Sequence, residues 1–436
     1  MNPLAKELND VLSTTIVDEL LSDYGRRMYF PKGIISQSAE AKQRARKYNA
    51  TIGIATDKGS AMCIPSVFAG FTGGLSQDDV FPYAPTAGEL PLRKIWLDEM
   101  RKKNPELQGK TISLPVVTSG LTHAISIAAS LFLDKGESII VPDMYWGNYN
   151  LTFAEQREAN MVFFPLFANG NLNVEGLAKT IDSIPGDQAA LILNFPNNPT
   201  GYTPTWAEAR ALVAMLVEKA EKGKKLLVFT DDAYFGLFFE QDVCTQSLFA
   251  LLCDAHKNIF VVKGDAATKE EMVWGFRIGF ITYGSKGLNE AHYEALVKKT
   301  MGAIRGGISS CSKPAQSILL KGMKSGTYHA EKEAGIVHIA KRYHHLKQIL
   351  KTYASDPNLK VLPFNSGYFM SFACAGNAET LRLHLLDKYE VGTISIQSKY
   401  LRLAFSSIDI EQLEDLIAIV YKAAAEVFQA TAGTKA

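Results

Sequence analysis

A lysine and an arginine eight residues apart mark the segment whose residue types are best suited to carry out chemistry. The stretch 264–267 before Lys269 holds three small residues, which leave room for a bulky ring beside the amine. Arg277 lies in a Gly-x-Arg-x-Gly setting, which suits a guanidinium that must reach an anion near the backbone. A lysine taken alone is most often a surface residue, and the nearest competitor, Lys263, lies too close to the preceding apolar run. The combination therefore predicts a reactive amine beside an anion site.

Two further segments place polar side chains directly after apolar runs. Asp231, Asp232 and Tyr234 follow one run, and another run leads into the turn Asn-Asn-Pro-Thr-Gly, which contains Asn198. Helix capping is the plain alternative for either aspartate, and an ordinary turn is the alternative for the asparagine. A carboxylate turned inward would need a cationic partner, because an unpaired buried charge is costly.

A glycine-containing turn follows a third apolar run. The backbone N–H groups of Gly120, Leu121 and Thr122 would face outward at the start of a helix, where phosphate binds readily. Any strand-to-helix turn offers the same geometry, so this segment indicates a phosphate site only in combination with the other segments.

Short apolar runs alternate with helical patterns throughout this part of the chain. The apolar runs cover residues 114–118, 138–142, 161–167, 189–195, 226–230, 259–263 and 277–283, and helical periodicity covers 122–133, 174–184 and 206–222. This rhythm predicts an α/β fold in which a mostly parallel sheet carries helices on its faces. Because ligands bind at the carboxyl ends of such strands, we expect the residues after each run to lie close together.

The character of the chain changes near residue 285. Long helical patterns and short apolar strands follow, at residues 290–304, 330–353 and 410–430 and at 368–374 and 400–406 respectively. They predict a smaller α+β domain over residues 316–436, beside a large domain over 76–315. Residues 1–75 are expected to supply the rest of the small domain and an arm. The stretch 63–87, rich in Gly, Pro and Phe, is expected to be an extended connection.

Composition and charge exclude several classes of function. The 436 residues carry a net charge of +1, with 47% hydrophobic and 21% charged residues, so nothing points to nucleic acid or to a membrane as partner. The five cysteines are scattered and form no Cys-x-x-Cys pair, which argues against a disulfide framework and against a metal site. Lys6, Glu7 and Asp10 interrupt the first apolar stretch, so we predict no signal peptide, no membrane helix and a cytoplasmic location.

These segments, in this order, resemble the fold-type-I pyridoxal-phosphate (PLP) enzymes, and within them the class I aminotransferases related to aspartate and aromatic amino acid aminotransferases. The motifs are Asn-Pro-Thr-Gly, Asp-x-Ala-Tyr, and a lysine followed by Gly-x-Arg-x-Gly. The similarity runs from about residue 50 to the C-terminus. It implies a large domain with a mostly parallel seven-stranded sheet flanked by helices, and a smaller α+β domain.

The resemblance also assigns roles around a PLP cofactor. It implies that Lys269 holds PLP as a Schiff base and then moves a proton. Asp231 would face the pyridinium nitrogen, and Trp146 would stack on the ring. Asn198 and Tyr234 would donate hydrogen bonds to the phenolic oxygen of the ring.

The phosphate would be held by Arg277 and by the turn formed by Gly120, Leu121 and Thr122. Tyr83 resembles the tyrosine that reaches the phosphate of a partner subunit, which implies a homodimer. Two departures from the family pattern stand out: the usual serine three residues before the lysine is Ala266, and Leu121 is unusually bulky for its turn. Thr268 or a water molecule is the candidate to replace the missing serine contact.

On the substrate side, the resemblance implies that Arg402 binds the α-carboxylate and that the loop at Gly53 closes over it. Arg305 resembles an arginine that crosses a dimer interface to reach a distal carboxylate. The alternative for Arg305 is a helix C-terminal residue that interacts with the helix dipole.

The resulting hypothesis is transamination between an L-amino acid, either aspartate or an aromatic one, and a 2-oxo acid such as 2-oxoglutarate. Another fold-type-I reaction, such as a β-lyase, decarboxylase or synthase reaction, shares the cofactor and stays open. Arg402 argues against decarboxylation, which needs the carboxylate free. A non-enzymatic ligand sensor would carry a DNA-binding domain, and the first fifty residues show no basic helix-turn-helix character.

Overall fold

The computed structural model describes residues 1–13, 15, 21–29 and 34–432. The helices are α1 (Pro3–Leu12), α2 (Asp23–Arg27), α3 (Ile34–Arg44), α4 (Pro65–Phe68), α5 (Gln77–Val80), α6 (Leu90–Lys103), α7 (Leu121–Phe132), α8 (Val174–Ser183), α9 (Trp206–Glu221), α10 (Leu248–Leu252), α11 (Ala267–Glu270), α12 (Glu290–Gly307), α13 (Lys313–Met323), α14 (Tyr328–Lys351), α15 (Ala378–Tyr389) and α16 (Leu413–Ala432). Within the described ranges, no helix is both long and apolar enough to cross a bilayer. The cytoplasmic location stays a prediction.

The strands form one large and several small sheets. They are β1 (Tyr48–Asn49), β2 (Thr56–Asp57), β3 (Ser60–Ala61), β4 (Val116–Thr118), β5 (Ser138–Pro142), β6 (Asn160–Phe164), β7 (Phe167–Ala168), β8 (Asn171–Leu172), β9 (Gln188–Asn194), β10 (Lys225–Asp231), β11 (Ile259–Ala266), β12 (Gly279–Gly284), β13 (Leu359–Val361), β14 (Phe369–Cys374), β15 (Val391–Gly392), β16 (Ile394–Ile396) and β17 (Tyr400–Ala404).

The seven-stranded sheet has the order β4-β12-β11-β10-β9-β5-β6. Neighbours from β11 to β6 run parallel, whereas β12 is antiparallel to both β11 and β4. The central strands β9, β10 and β11 are buried almost throughout, as expected for strands covered by helices on both faces. The predicted large α/β domain is therefore confirmed, and each predicted strand overlaps an observed one.

This topology gathers the chemical segments at one edge of the sheet. β4, β5, β9, β10 and β11 all end there, and the antiparallel β12 begins there. The turn after β4, the loops after β5 and β9, the end of β10 and the helix after β11 consequently surround a common space.

A four-stranded antiparallel sheet, β13-β14-β17-β16, forms the centre of the smaller α+β domain. β1 pairs in parallel with β15, which places residues 48 and 49 beside the C-terminal part of the chain. The domain boundaries at residues 75 and 315 stay predictions. Leu319, Met323 and Tyr328, which lie beyond residue 315, pack in the core of the large domain, and Tyr343 on the same helix as Tyr328 packs in the core of the small one.

The prediction that residues 63–87 are extended is wrong, because this stretch contains α4, a 3-10 turn at Ala69–Thr72 and α5. Local signals explain these turns. Pro65 occupies the first turn of α4, where its missing N–H costs nothing. Ser76 and Asp79 form a capping box at the start of α5.

The two domains meet closely at Gly201, the last residue of the Asn-Pro-Thr-Gly turn. Its carbonyl oxygen accepts hydrogen bonds from the N–H groups of Asn365 and Ser366. Its φ is +76°, and a Cβ atom there would lie 2.0 Å from the carbonyl oxygen of Phe369. Gly186 has a matching φ of +77°, but a Cβ atom there would meet nothing within 4 Å.

Gly201→Ala should therefore destabilise the protein more than Gly186→Ala does. Both substitutions carry the left-handed backbone cost of about 1 to 2 kcal/mol, but only Gly201→Ala also forces two backbone segments apart, which adds about 1 to 3 kcal/mol. Thermal and urea unfolding of the two variants checks this. Equal losses would show that the two domains do not depend on close contact at Gly201.

Candidate active site

A cavity of about 170 Å³ lies where the strand ends meet. Its lining residues are Leu121, Thr122, Trp146, Asn194, Asn198, Asp231, Ala233, Tyr234, Ala266, Thr268, Lys269 and Arg277. Eight of them belong to the set that the sequence singled out for the cofactor. A larger cleft of about 600 Å³ lies at the opposite, amino ends of the strands and contains none of the predicted site residues.

The two neighbouring aspartates after β10 have different surroundings. Asp231 lines the cavity, where its Oδ2 accepts a hydrogen bond from the Tyr149 hydroxyl at 2.5 Å and its Oδ1 accepts one from the Ala233 N–H at 3.1 Å. Asp232 instead lies 2.7 Å from the ammonium of the buried Lys263. Burial raises the pKa of Asp231 to about 6, and the charge of Asp232 adds to the shift. Asp231 is thus a buried carboxylate whose hydrogen-bond partners are neutral.

Lys269 lies in the short helix α11, immediately after β11. Its carbonyl oxygen accepts a hydrogen bond from the Tyr368 hydroxyl, and its Nζ lies 5.3 Å from the centre of the Tyr234 ring. Desolvation, and then the positive charge of Arg277, lower the pKa of Lys269 to about 8. An amine with this pKa is poised to lose or regain a proton near neutral pH.

Two carboxylates that directly follow Lys269 form ion pairs that hold its helix in place. Glu270 lies 2.8 Å from the ammonium of Lys103 and 2.7 Å from that of Lys332. Glu271 lies 2.8 Å from Lys332. Lys332 belongs to α14, which packs in the cores of both domains. These ion pairs therefore link the helix that presents Lys269 to the helix that connects the two domains. This cluster is not among the sequence predictions, although the two acidic residues directly after the lysine are a visible signal of it.

The start of α7 and Arg277 form a positive corner of the cavity. Gly120 has a φ of +80°, and a Cβ atom there would lie 2.4 Å from Nη2 of Arg277. A Cβ atom on Gly279 would lie 2.5 Å from the carbonyl carbon of Gly120. The two glycines therefore let the guanidinium approach the helix N-terminus, a geometry that suits a phosphate. Thr268 lines the same cavity. It therefore lies where a residue must lie to make the phosphate contact that the serine makes in the family pattern.

Arg402, on β17 of the small domain, is buried beside the cavity and is only 2% exposed. Its Nη1 donates to Oδ1 of Asn198 and its Nη2 to the carbonyl oxygen of Thr51, both at 3.0 Å. Its guanidinium carbon lies 4.2 Å from the centre of the Phe369 ring. Desolvation lowers the pKa of Arg402 to about 10, and the side chain stays cationic at neutral pH.

A chain of hydrogen bonds joins the carboxylate side of the cavity to Arg402. Asn194 donates through Nδ2 to the carbonyl oxygen of Asp231 at 2.9 Å, and its Oδ1 accepts the N–H of Asn198 at 2.8 Å. Asn198 in turn accepts from Arg402. Asn194 and Tyr149 are not among the site residues predicted from the sequence. Asn194 ends β9 directly opposite Asp231 on β10, and Tyr149 follows Trp146 by three residues, but neither position differs in sequence from an ordinary core residue.

The remaining predicted residues lie at different distances from the cavity. A Cβ atom on Gly53 would lie 3.2 Å from the Phe369 ring and 3.5 Å from the Tyr234 hydroxyl, so the Gly53 loop borders the site. Tyr83 is 92% exposed, and Arg305 is exposed on the last turn of α12. The structure of one chain does not bring these two residues into its own cavity, and their roles stay predictions.

Known proteins resemble this chain in sequence and in structure. Residues 53–420 match the family model described as aminotransferase class I and II. A probable N-acetyl-LL-diaminopimelate aminotransferase of Bacillus subtilis is 26% identical over 47% of this chain and 48% of the relative, and a probable aspartate/prephenate aminotransferase of Aquifex aeolicus is 26% identical over 46% and 48%. The chain thus spans about half the length of these curated relatives.

Solved structures match over nearly the whole chain. An aminotransferase from Anaerococcus prevotii superposes with a TM-score of 0.82 at 25% identity, covering 93% of this chain and 98% of the other. An aspartate aminotransferase from Thermus thermophilus superposes with a TM-score of 0.70 at 19% identity, covering 92% and 99%, which bears on the fold alone. With the family model matched over most of its length, the chain belongs to the class I and II aminotransferases, a family of PLP-dependent transferases.

Proposed function

We propose that this chain transfers the amino group of an L-amino acid, either aspartate or an aromatic one, to a 2-oxo acid such as 2-oxoglutarate. One observation carries the proposal. Asp231 and Arg277 line one cavity, Arg402 donates to its lining residue Asn198, and the hydrogen bonds of all three charged groups are made with neutral groups. PLP and an amino-acid substrate together offer the matching charges: a pyridinium, a phosphate and an α-carboxylate.

The cofactor-binding roles follow from position. Asp231 would face the ring nitrogen and keep it protonated, while Arg277 and the N-terminus of α7 would hold the phosphate. Asn198 and Tyr234 would donate hydrogen bonds to the phenolic oxygen, and burial raises the pKa of Tyr234 so that its hydroxyl keeps the proton. PLP, when bound, supplies an electron sink that stabilises negative charge at the α-carbon of the substrate.

Lys269 would hold the cofactor covalently and then move the proton between the two carbon atoms that exchange it. Its lowered pKa supports this role, because a general base works best when its pKa lies near the working pH. The contact of its carbonyl oxygen with Tyr368 and the ion pairs of Glu270 fix its backbone, so the amine alone is left to move.

Arg402 would bind the α-carboxylate of the substrate, with the Gly53 loop closing over it. A guanidinium that already donates to Asn198 and Thr51 is held in one orientation, so little entropy is lost when the carboxylate arrives. Holding the carboxylate in this way favours transamination over decarboxylation.

A homodimer would complete the site. The exposed aromatic side chains Phe68, Phe71, Phe81 and Tyr83 cluster in one stretch of the chain, as expected for a surface that a second copy covers. Arg305 of the second copy is then the candidate for binding a distal carboxylate, or for swinging away from an aromatic ring.

Borohydride reduction of the PLP-loaded protein, followed by peptide mapping, should place the label on Lys269. Lys263 is the natural competitor, but its ammonium lies 2.7 Å from both Asp232 and Asp265 and is buried. Lys269→Ala should abolish the label. A label on Lys263, or none at all, would contradict the assignment.

Asp231→Asn and Asp232→Asn should separate catalysis from stability. Asp231→Asn should lower kcat by at least about a hundredfold, because an amide cannot stabilise the pyridinium charge. It should change the melting temperature little, since the amide oxygen can accept from the Ala233 N–H while the amide nitrogen donates to the hydroxyl oxygen of Tyr149. Asp232→Asn should do the reverse, because it leaves Lys263 with a single carboxylate partner. Steady-state kinetics and calorimetry measure both effects, and near-normal turnover in Asp231→Asn would show that the wrong aspartate is assigned.

Arg305→Ala should reveal the substrate class. If Arg305 binds a distal carboxylate, kcat/KM for aspartate should fall by the equivalent of about 2 to 3 kcal/mol, whereas kcat/KM for phenylalanine should change much less. Lys298→Ala on the same helix is the matched control, because that exposed lysine pairs with Glu294. A small and equal effect on both substrates would make Arg305 a structural residue.

A further inference from the structure

We infer that Tyr149 is a positioning residue that acts through Asp231 and keeps the proton on the ring nitrogen of the cofactor. This inference rests on the proposed function of Asp231. Tyr149 is 1% exposed, and its hydroxyl donates to Oδ2 of Asp231 at 2.5 Å. It is not among the residues that line the cavity, whereas Asp231 is. The hydroxyl of Tyr149 can therefore act on a bound ring only through the carboxylate.

The ring of Tyr149 is held by three aromatic neighbours. Trp146 meets it edge to face with centres 5.8 Å apart, Tyr145 stacks at 6.4 Å with planes 10° apart, and Phe153 lies at 5.5 Å. The hydroxyl therefore points at Asp231 without a further loss of side-chain freedom. Because Trp146 also lines the cavity, the same packing aligns the ring-stacking residue and the hydrogen-bond donor.

Tyr149 is a neutral donor. Burial and the adjacent charge of Asp231 raise its pKa well above the ordinary value, so the hydroxyl keeps its own proton. The charged groups that act on Asp231 are Asp232, which raises its pKa, and Lys269, which lowers it. A cation in place of Tyr149 would cancel the charge of Asp231, whereas a neutral hydroxyl stabilises that charge and leaves it available to the cavity.

The proton balance follows from this arrangement. With PLP bound, one proton would be shared between the Asp231 carboxylate and the ring nitrogen, and a hydrogen bond donated to the carboxylate lowers its affinity for that proton. The hydroxyl of Tyr149 therefore favours the ionic pair, pyridinium and carboxylate, over the neutral pair. Without the hydroxyl, the proton moves from nitrogen to oxygen, and the ring becomes a weaker electron sink.

The test is the ¹⁵N chemical shift of ring-labelled PLP bound to Tyr149→Phe, measured over a range of pH. The ring nitrogen should be protonated in the wild-type protein and shift toward the unprotonated value in the variant, and kcat should fall roughly ten- to a hundredfold. Tyr145→Phe is the matched control, because it removes a neighbouring hydroxyl that donates to Asn150 instead. An unchanged shift in Tyr149→Phe would overturn the inference.

Two further measurements keep the result unambiguous. Borohydride labelling of Lys269 in the wild-type protein tests the proposed function separately, so a label together with an unchanged ¹⁵N shift would reject only the role of Tyr149. If Tyr149→Phe does not fold, site-specific Tyr149→3-fluorotyrosine keeps the ring and makes its hydroxyl a stronger donor. The nitrogen should then stay protonated to higher pH, and the absence of that change would also overturn the inference.

Discussion

Successive side chains of a strand leave it on opposite faces, and the charges at this site depend on that alternation. At the end of β10, Asp232 points away from the cavity and is neutralised by Lys263, whereas Asp231 points into it and is met by neutral donors. A buried carboxylate without a cation is costly, and its raised pKa expresses that cost. The fold thus keeps one negative charge for a ligand to neutralise.

The same division holds around Lys269. Glu270 and Glu271, which follow it directly, are compensated by Lys103 and Lys332 on the side away from the cavity. The amine itself meets an apolar ring face and the field of Arg277, which lowers its pKa. The ionic groups behind the site therefore have oppositely charged partners within the protein, whereas Asp231 and Arg277, which line the cavity, have neutral hydrogen-bond partners. This difference separates structural ionic residues from those available to a cofactor.

Most of the fold was predictable, because buried parallel strands appear in the sequence as apolar runs bounded by polar or turn-forming residues. The strand at Ser138–Pro142 was predicted to the residue, and the others shifted by a few positions. The short helices of the arm were not predicted, because local capping outweighs a composition rich in glycine and proline. Tyr149 was missed for a different reason. Its role depends on a contact across 82 positions of the sequence, which no local pattern records.

The site also depends on a polar connection between the two domains. Asn194 and Asn198 link the carbonyl group of Asp231, in the large domain, to the guanidinium of Arg402, in the small one. The contact with Arg402 uses only Oδ1 of Asn198, so Nδ2 of the same side chain can donate to the phenolic oxygen of the proposed cofactor while Arg402 binds a carboxylate. Two asparagine side chains thus orient the guanidinium of Arg402, in the small domain, relative to the strand end that presents Asp231 in the large one.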